Sequence, residues 1–410
     1  MNFTDLSKKL TKDLSSREKK ENGIYFTPQS IVCRMMKRIK CWNGNHRVKS
    51  ILEPSCGSGE FLNILDKEYQ GADIVGIELN KTIFEALDIG SYQNVKDIKN
   101  MDFLDFGDSG GFDLIIGNPP YFVMKSSLVP AIYKQHLAGR PNIFVLFILK
   151  SLELLRANGI MAFVLPLSFM NCLYYDKVRK FINETCTIIS IECCGGDKYL
   201  ETQQETVLFI VAKSGENMAG SVADIERNRR FVLEIGSFTI FNTEERMKEL
   251  KKLFVGSRSL KELGFNVRVG KVVWNQVKNL LTDDGMKTRL IYSSDIVDNM
   301  LSMKKYKNIA KKNYINKKGR TGLLLVVNRG YGKGKYKFSY CLCNMEKEYL
   351  IENHLICVER EDLGEKDELQ ERYEKIMRSL ENEKTKRFVE LYFGNNAINT
   401  TELNFILPIY

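Results

Sequence analysis

Ser50-Ile51-Leu52-Glu53-Pro54-Ser55-Cys56-Gly57-Ser58-Gly59-Glu60-Phe61-Leu62 reads in three parts. A short apolar run closes on an acid, a turn holds two glycines, and helical spacing opens near Glu60. Strand, tight turn and helix in that order are the building unit of an α/β domain. Gly57 and Gly59 permit a sharp turn and let bare backbone approach a ligand. No third glycine follows three residues on, so the dinucleotide fingerprint is absent, and so is the Gly-Lys-Ser/Thr of a P-loop. Glu53 at the end of the strand repels a pyrophosphate. It suits a cationic ligand, such as an aminoacyl sulfonium.

Reading outward, Asp73-Ile74-Val75-Gly76-Ile77-Glu78 is a second apolar run ending in an acid, about twenty residues past the glycines. A carboxylate there can take both hydroxyls of a ribose; the alternative is a helix-capping or solvated acid. Asn100-Met101-Asp102-Phe103-Leu104-Asp105-Phe106 follows a third short strand. Asp102 can accept from an adenine amine with Phe103 packed on the ring, or it is a loop acid beside a core aromatic. Phe112-Asp113-Leu114-Ile115-Ile116-Gly117 reads as a buried parallel strand, and Asn118-Pro119-Pro120-Tyr121 stands at its carboxyl end. The amide oxygen of Asn118 and a proline carbonyl can accept from an NH2 group, and an aromatic ring can lie on a base. The competing reading is a Pro-Pro turn that only stops the strand.

In this order the residues resemble the gamma-class, TaqI-type, N6-adenine DNA methyltransferases. The resemblance begins at Tyr25-Phe26-Thr27-Pro28-Gln29, similar to the family's cofactor-covering segment. It runs through Glu53-Pro54-Ser55-Cys56-Gly57-Ser58-Gly59, Glu78 and Asp102-Phe103 to the Asn-Pro-Pro-Tyr tetrapeptide. It covers about residues 20–212 closely and 260–410 more loosely. It implies a methyltransferase fold, a mostly parallel seven-stranded sheet with helices on both faces, joined to a smaller mixed α+β DNA-recognition domain. It implies S-adenosyl-L-methionine as cofactor, held by Tyr25, Thr27, Pro28, Glu53, Pro54, Cys56, Gly57, Gly59, Glu78, Asp102, Phe103, Asn118 and Pro120. It implies catalysis by Asn118, Pro119, Pro120 and Tyr121 on an adenine flipped out of duplex DNA. In Gly195-Gly196-Asp197-Lys198-Tyr199-Leu200, Tyr199 matches the family's opposing aromatic wall, and a surface-loop tyrosine is the alternative. A separate restriction endonuclease acting on the same site is the implied partner. The tetrapeptide also occurs in protein-glutamine and some RNA methyltransferases. A non-catalytic DNA-binding module is the more distant reading, and the asparagine leaves adenine and exocyclic cytosine methylation both open.

Composition sets limits around this reading. The 410 residues are enough for two domains, and 44% hydrophobic content is that of a globular protein. A net charge of +10 favours a polyanionic partner. Ten cysteines without a Cys-x-x-Cys pair and only three histidines, His46, His136 and His354, give little support to zinc or to His-dependent catalysis. The cysteines read as reduced packing residues of a cytoplasmic protein. No run of 18 apolar residues appears, so no membrane span is expected. Met1-Asn2-Phe3-Thr4-Asp5 lacks the layout of a signal peptide.

Leu6, Leu10 and Leu14 have the spacing of a short amphipathic helix. Residues 50–212 alternate strand-like and helical stretches. Asn142–Ala157 reads as a helix and Gly159–Pro166 as the next strand. Ile188–Ile191 and Thr206–Val211 read as the last two strands, the second antiparallel at the sheet edge. Polar breaks then suggest residues 1–220 as the catalytic domain, 221–245 as a linker and 246–410 as the target-recognition domain. The last region interleaves aromatics such as Tyr306 and Tyr331 with lysines such as Lys311, Lys312, Lys317 and Lys318, a composition suited to phosphate contacts; a solvated charged face is the alternative. Leu369, Tyr373, Ile376, Met377 and Leu380 have helical spacing.

Overall fold

The computed structural model describes residues 3–44, 47–107, 110–195, 204–215, 222–329, 337–360, 366–392 and 398–410. It forms two compact units, residues 1–247 and 248–410.

The first unit opens with helices α1 (Asp5–Asp13), α2 (Ser16–Asn22) and α3 (Gln29–Asn43). Strand β1 (Ser50–Glu53) turns through the glycines into α4 (Glu60–Glu68), as the sequence leads one to expect. Next come β2 (Asp73–Glu78), α5 (Lys81–Glu85), β3 (Val95–Asn100) and β4 (Phe112–Gly117). They lead to α6 (Ile143–Leu154), β5 (Leu155–Pro166), α7 (Asp176–Thr185), β6 (Cys186–Cys193) and β7 (Thr206–Lys213). The seven strands lie in the order β3-β2-β1-β4-β5-β7-β6. All neighbours are parallel except β7, which is antiparallel to both β5 and β6.

Strand pleating sends alternate residues to opposite faces, and both faces are covered. Leu52, Ile115 and Met161 pack under α6 and α7, while Ile51, Leu114 and Ile160 pack under α3 and α4. Helix α6 is apolar nearly all round because it is buried nearly all round. This is the seven-stranded α/β architecture of methyltransferases.

Two sequence expectations need correction. Strand β7 is antiparallel but not at the edge. Every residue from Thr206 to Ala212 is buried, so the strand needs a neighbour on each side, and β6 takes the outer place. Residues 222–241, expected within a linker, are folded as α8 (Val222–Asn228) and the hairpin β8 (Val232–Ile235) and β9 (Phe238–Phe241). Phe231, Val232 and Phe241 enter the core, with Phe241 stacked on Phe209 at 5.9 Å. Wholly buried Arg179 secures the hairpin, donating to the carbonyls of Thr239 (2.6 Å), Phe169 (2.8 Å) and Cys172 (2.9 Å). The polar residues of α8 cap the outer edge of β6. Asn228 accepts from the Ile188 amide at 2.7 Å and donates to the Cys186 carbonyl at 2.9 Å, while Arg227 donates to the Ile188 carbonyl at 3.2 Å.

Helix α9 (Glu244–Phe254) carries the chain across the division. The second unit has strands β10 (Phe265–Val269), β11 (Leu281–Thr282), β12 (Thr288–Ile291), β13 (Ile296–Val297), β14 (Met300–Leu301), β15 (Tyr314–Ile315), β16 (Arg320–Asn328), β17 (Tyr340–Ile351) and β18 (Leu355–Arg360). Seven of them make a mixed sheet in the order β10-β18-β16-β17-β12-β15-β11, with only the β12–β17 pair parallel. Helices α10 (Lys366–Glu381) and α11 (Glu383–Tyr392) follow, and Tyr373, Ile376 and Leu380 are the buried stripe of α10.

Candidate active site

The strand order reverses between β1 and β4, and ligands of open α/β sheets bind outside the carboxyl ends of the strands at such a switch point. A cavity of about 320 Å³ opens there, within the usual range for small-molecule sites. The turn after β1 is braced from below. The Cys56 amide donates to the Ile77 carbonyl at 2.9 Å and the Gly59 amide to the Cys56 carbonyl at 2.8 Å, with Gly57 and Gly59 at φ +52° and +78°.

Glu78, at the end of β2, is fixed by two backbone amides. One oxygen accepts from Gly57 at 2.8 Å and the other from Asn80 at 2.7 Å. Burial raises its pKa above the ordinary carboxylate value, and the Asn80 and Gly57 amides pull in the opposite direction. Glu53 is wholly buried behind the cavity, and neither of its oxygens makes a hydrogen bond of normal geometry. Burial first, then the Glu78 charge, drive its pKa well above the ordinary value; the nearby Leu62 amide only partly offsets them. Asp102 caps the short turn after β3 by accepting from the Leu104 amide at 2.8 Å, and Phe103 packs on Phe147 with ring centres 4.8 Å apart.

Asn118 lies at the end of β4. Its amide nitrogen donates to the Tyr25 carbonyl (3.1 Å) and to Thr27 Oγ1 (2.9 Å). A carbonyl can only accept, so this pair settles which end of the amide is nitrogen. The amide oxygen is 2.7 Å from the Tyr121 hydroxyl, which is also 2.7 Å from the Val164 carbonyl. One hydroxyl proton serves one of these acceptors at a time. The Pro119 carbonyl takes no hydrogen bond among the described residues.

Among the residues expected from the sequence, Tyr25, Pro54, Gly57, Glu78, Asp102, Phe103, Asn118 and Pro120 line the cavity. Thr27, Pro28, Glu53, Cys56, Gly59, Pro119 and Tyr121 are not among the lining residues. Tyr121 turns its ring edge-on to Phe144 at 6.0 Å, and its neighbour Phe122 faces the cavity instead. Tyr199 falls outside the described residues.

The sequence reading missed several supports. The Ser55 hydroxyl donates to the Asn118 carbonyl at 3.1 Å, tying the glycine turn to the tetrapeptide. Glu60 accepts from the Thr4 amide at 2.8 Å and the Ser7 hydroxyl at 2.5 Å, anchoring α1 to the same turn. Asn80 lines the cavity, caps α5 and donates to Glu18 at 2.9 Å. The Asn-x-x-Ile spacing after β2 was the one available sequence signal, as a helix start.

Residues 34–198 match the family model described as Eco57I restriction-modification methylase. The Type II methyltransferase M.CvrRI of Paramecium bursaria Chlorella virus XZ-6E is 28% identical over 370 residues, which span 88% of this chain and 89% of that protein. The modification methylase CviBIII of Paramecium bursaria Chlorella virus NC1A is 27% identical over 367 residues, 88% of this chain and 87% of that protein. The match over residues 34–198 and the two methylases aligned along most of the chain support a DNA methyltransferase of the restriction–modification type.

The methyltransferase's cofactor is S-adenosyl-L-methionine, and the cavity fits it. Two carboxylates, Glu78 and Asp102, and the rings of Phe103, Phe122 and Phe147 line it, with no lysine or arginine among the described lining residues. Such a lining accepts a sulfonium, an ammonium and a planar base, and it disfavours a triphosphate.

Proposed function

We propose that this methyltransferase acts on the N6 amine of an adenine flipped out of duplex DNA, as TaqI-type enzymes do. The observation that carries the reading is the fixed orientation of the Asn118 amide at the end of β4. The cofactor, when bound, supplies an electrophilic methyl group. The chain has to place and sharpen a weak nucleophile whose lone pair is delocalised into the purine ring. Asn118 Oδ1 and the Pro119 carbonyl would accept the two N–H bonds of that amine. The lone pair is then concentrated on nitrogen and aimed along the line of transfer. As the amine arrives, the Tyr121 hydroxyl would turn its proton to the Val164 carbonyl and free the Asn118 oxygen. Asparagine cannot take a proton, so the methylated amine gives its own to water. Glu78 retains lone pairs beyond those its two amide partners use and would bind the ribose hydroxyls. Tyr121 and Tyr199 are the family's walls against the base. Extrusion of the base costs a few kcal/mol, to be recovered by such contacts.

The second unit supplies a surface for DNA. Lys287, Lys317, Lys318 and Lys347 surround a groove of about 550 Å³, with Glu348 as the one acid among its described lining residues. Other lysines of the same basic stretch are engaged within the fold. Lys311 sits over the rings of Tyr292 (4.0 Å) and Tyr306 (4.2 Å), and Lys312 pairs with Asp283 at 2.5 Å. The groove lysines are therefore the better candidates for phosphate contacts. A separate endonuclease for the same site is the fitting biological partner. The ten cysteines are all free, as suits a reducing cytoplasm, and no helix among the described residues is long and apolar enough to cross a membrane.

The test is incubation with labelled S-adenosyl-L-methionine and mixed-sequence duplex DNA, RNA or protein, followed by nucleoside analysis. N6-methyladenine from DNA is expected. N4-methylcytosine would replace the adenine reading, and label only in RNA or protein would overturn the reading entirely.

A further inference from the structure

We infer that Thr27 is a positioning residue for the Asn118 amide, so that the strap of residues 23–27 aims the reacting side chain as well as covering the cofactor. The inference rests on Asn118 being the amine acceptor, as proposed above.

A side-chain amide is nearly symmetric in shape. Turned by half a revolution, Asn118 would present NH2 to the incoming amine, and two donors would face each other. Packing alone discriminates poorly between the two orientations, but hydrogen-bond chemistry does discriminate. The Tyr25 carbonyl, an obligate acceptor, holds one amide hydrogen at 3.1 Å, and Thr27 Oγ1 holds the other at 2.9 Å. Thr27 is only 4% exposed, so water cannot readily replace its hydroxyl.

The strap that carries both acceptors is itself seated on the tetrapeptide. Gly23, at φ +62°, ends α2, and a Cβ there would lie 2.7 Å from the Tyr121 amide nitrogen and 3.2 Å from Pro120 Cβ. Phe26 lies 3.7 Å from the corresponding point on Gly57. The strap thus touches the tetrapeptide at one end and the glycine turn at the other. Tyr25 and Phe26 line the cavity, whereas Thr27 is absent from its lining and is directed at Asn118. The sequence resemblance makes Thr27 a cofactor contact; the geometry gives it to the catalytic amide. Occupation of the cavity bears on Tyr25 and Phe26, and the adjoining Thr27 carries the order of the strap to Asn118.

The test compares the full-length wild type with Thr27→Val and Thr27→Ser, using S-adenosyl-L-methionine and mixed-sequence duplex DNA. Titration calorimetry measures cofactor binding, and single-turnover assays measure transfer. Valine keeps the shape and removes the acceptor. Thr27→Val is expected to lower kcat on the order of tenfold, with cofactor Kd and KM within about twofold of wild type. Thr27→Ser, which restores the acceptor, is expected to recover the rate. A raised cofactor Kd with kcat unchanged would make Thr27 a cofactor contact and overturn the inference, as would a serine variant no better than valine. Should the valine protein fold poorly, Thr27→Cys and Thr27→Ala take its place. Rates that follow acceptor strength (Ser, then Cys, then Ala) support the inference, and rates that follow melting temperature overturn it. A wild type that methylates no DNA amine would instead remove the underlying reading, independently of these comparisons.

Discussion

Gly23→Ala should damage both the stability of the first unit and its chemistry, for two separable reasons. Gly23 has φ +62°, where an L-residue costs about 1–2 kcal/mol. The new methyl would also stand 2.7 Å from the Tyr121 amide nitrogen. That atom is backbone and cannot swing aside, so relief requires the strap or the tetrapeptide to shift, at roughly 1–3 kcal/mol. The sum, about 2–5 kcal/mol, corresponds to a melting temperature lower by roughly 5–15 °C for a unit of this size. Any shift falls three residues from the Asn118 amide, where displacement by an ångström can cost about a hundredfold in rate. Gly236→Ala is the control. Gly236 has φ +58° with nothing within 4 Å of its would-be Cβ, so it carries the backbone strain without the collision. Melting followed by circular dichroism, with transfer rates measured well below both transitions, separates the two effects. If Gly23→Ala were no less stable and no slower than Gly236→Ala, the close seating of strap on tetrapeptide would be wrong.

Four further outcomes are expected. Asn118→Ala should lower kcat by at least about a hundredfold and leave DNA affinity within a few-fold; unchanged turnover would remove the tetrapeptide from the mechanism. Glu53 has its pKa raised above 4.5 in the folded state, so the native protein holds the proton more tightly, and stability should fall as pH rises from about 4.5 to the folded value. In Glu53→Gln that component should vanish, and parallel melting-temperature curves for the two proteins would refute it. Arg179→Met strands the Thr239, Phe169 and Cys172 carbonyls and should cost roughly 3–5 kcal/mol in urea unfolding; a loss under 1 kcal/mol would mean that the hairpin is not held this way. Charge reversal at Lys317 and Lys318 should reduce the salt dependence of DNA binding by about two in log–log slope, whereas Lys311→Ala should not; equal slopes throughout would take the groove out of the interface.

The α/β framework was legible because its signals are local. The run before Gly57 and the run before Asn118 are short apolar strands bounded by turn residues, and such patterns survive any tertiary context. Long-range choices were not legible. Nothing in Thr206–Val211 announces that it inserts between two strands, since pairing order is decided across the sheet. Residues 222–241 read as part of a linker because polar breaks, Lys213-Ser214-Gly215-Glu216-Asn217 and Asn242-Thr243-Glu244-Glu245, stand on either side. Arg227 and Asn228 spend their polarity on the unpaired backbone of β6 and Asp224 accepts from the Thr187 hydroxyl, uses that composition does not reveal. The site shows the same divide. The spacing of Glu78, Asp102 and Asn118 along the chain placed them at strand ends, and all three line the cavity. The turning of Thr27 to Asn118, of Phe122 rather than Tyr121 to the cavity, and of Lys311 onto two tyrosine rings are side-chain directions. Only the folded chain fixes them.

The capping of β6 by α8 bears on how this enzyme is made and where it can be shortened. Ribosomes release the sheet's outermost strand some forty residues before Asn228 emerges, so a bare ladder of amides waits for its cover. A shortened version ending near residue 220 would leave that ladder permanently open, along with the apolar hollow that Phe231 and Phe241 fill. Such a fragment should self-associate through its uncovered rim, whereas one that retains the hairpin should stay dispersed.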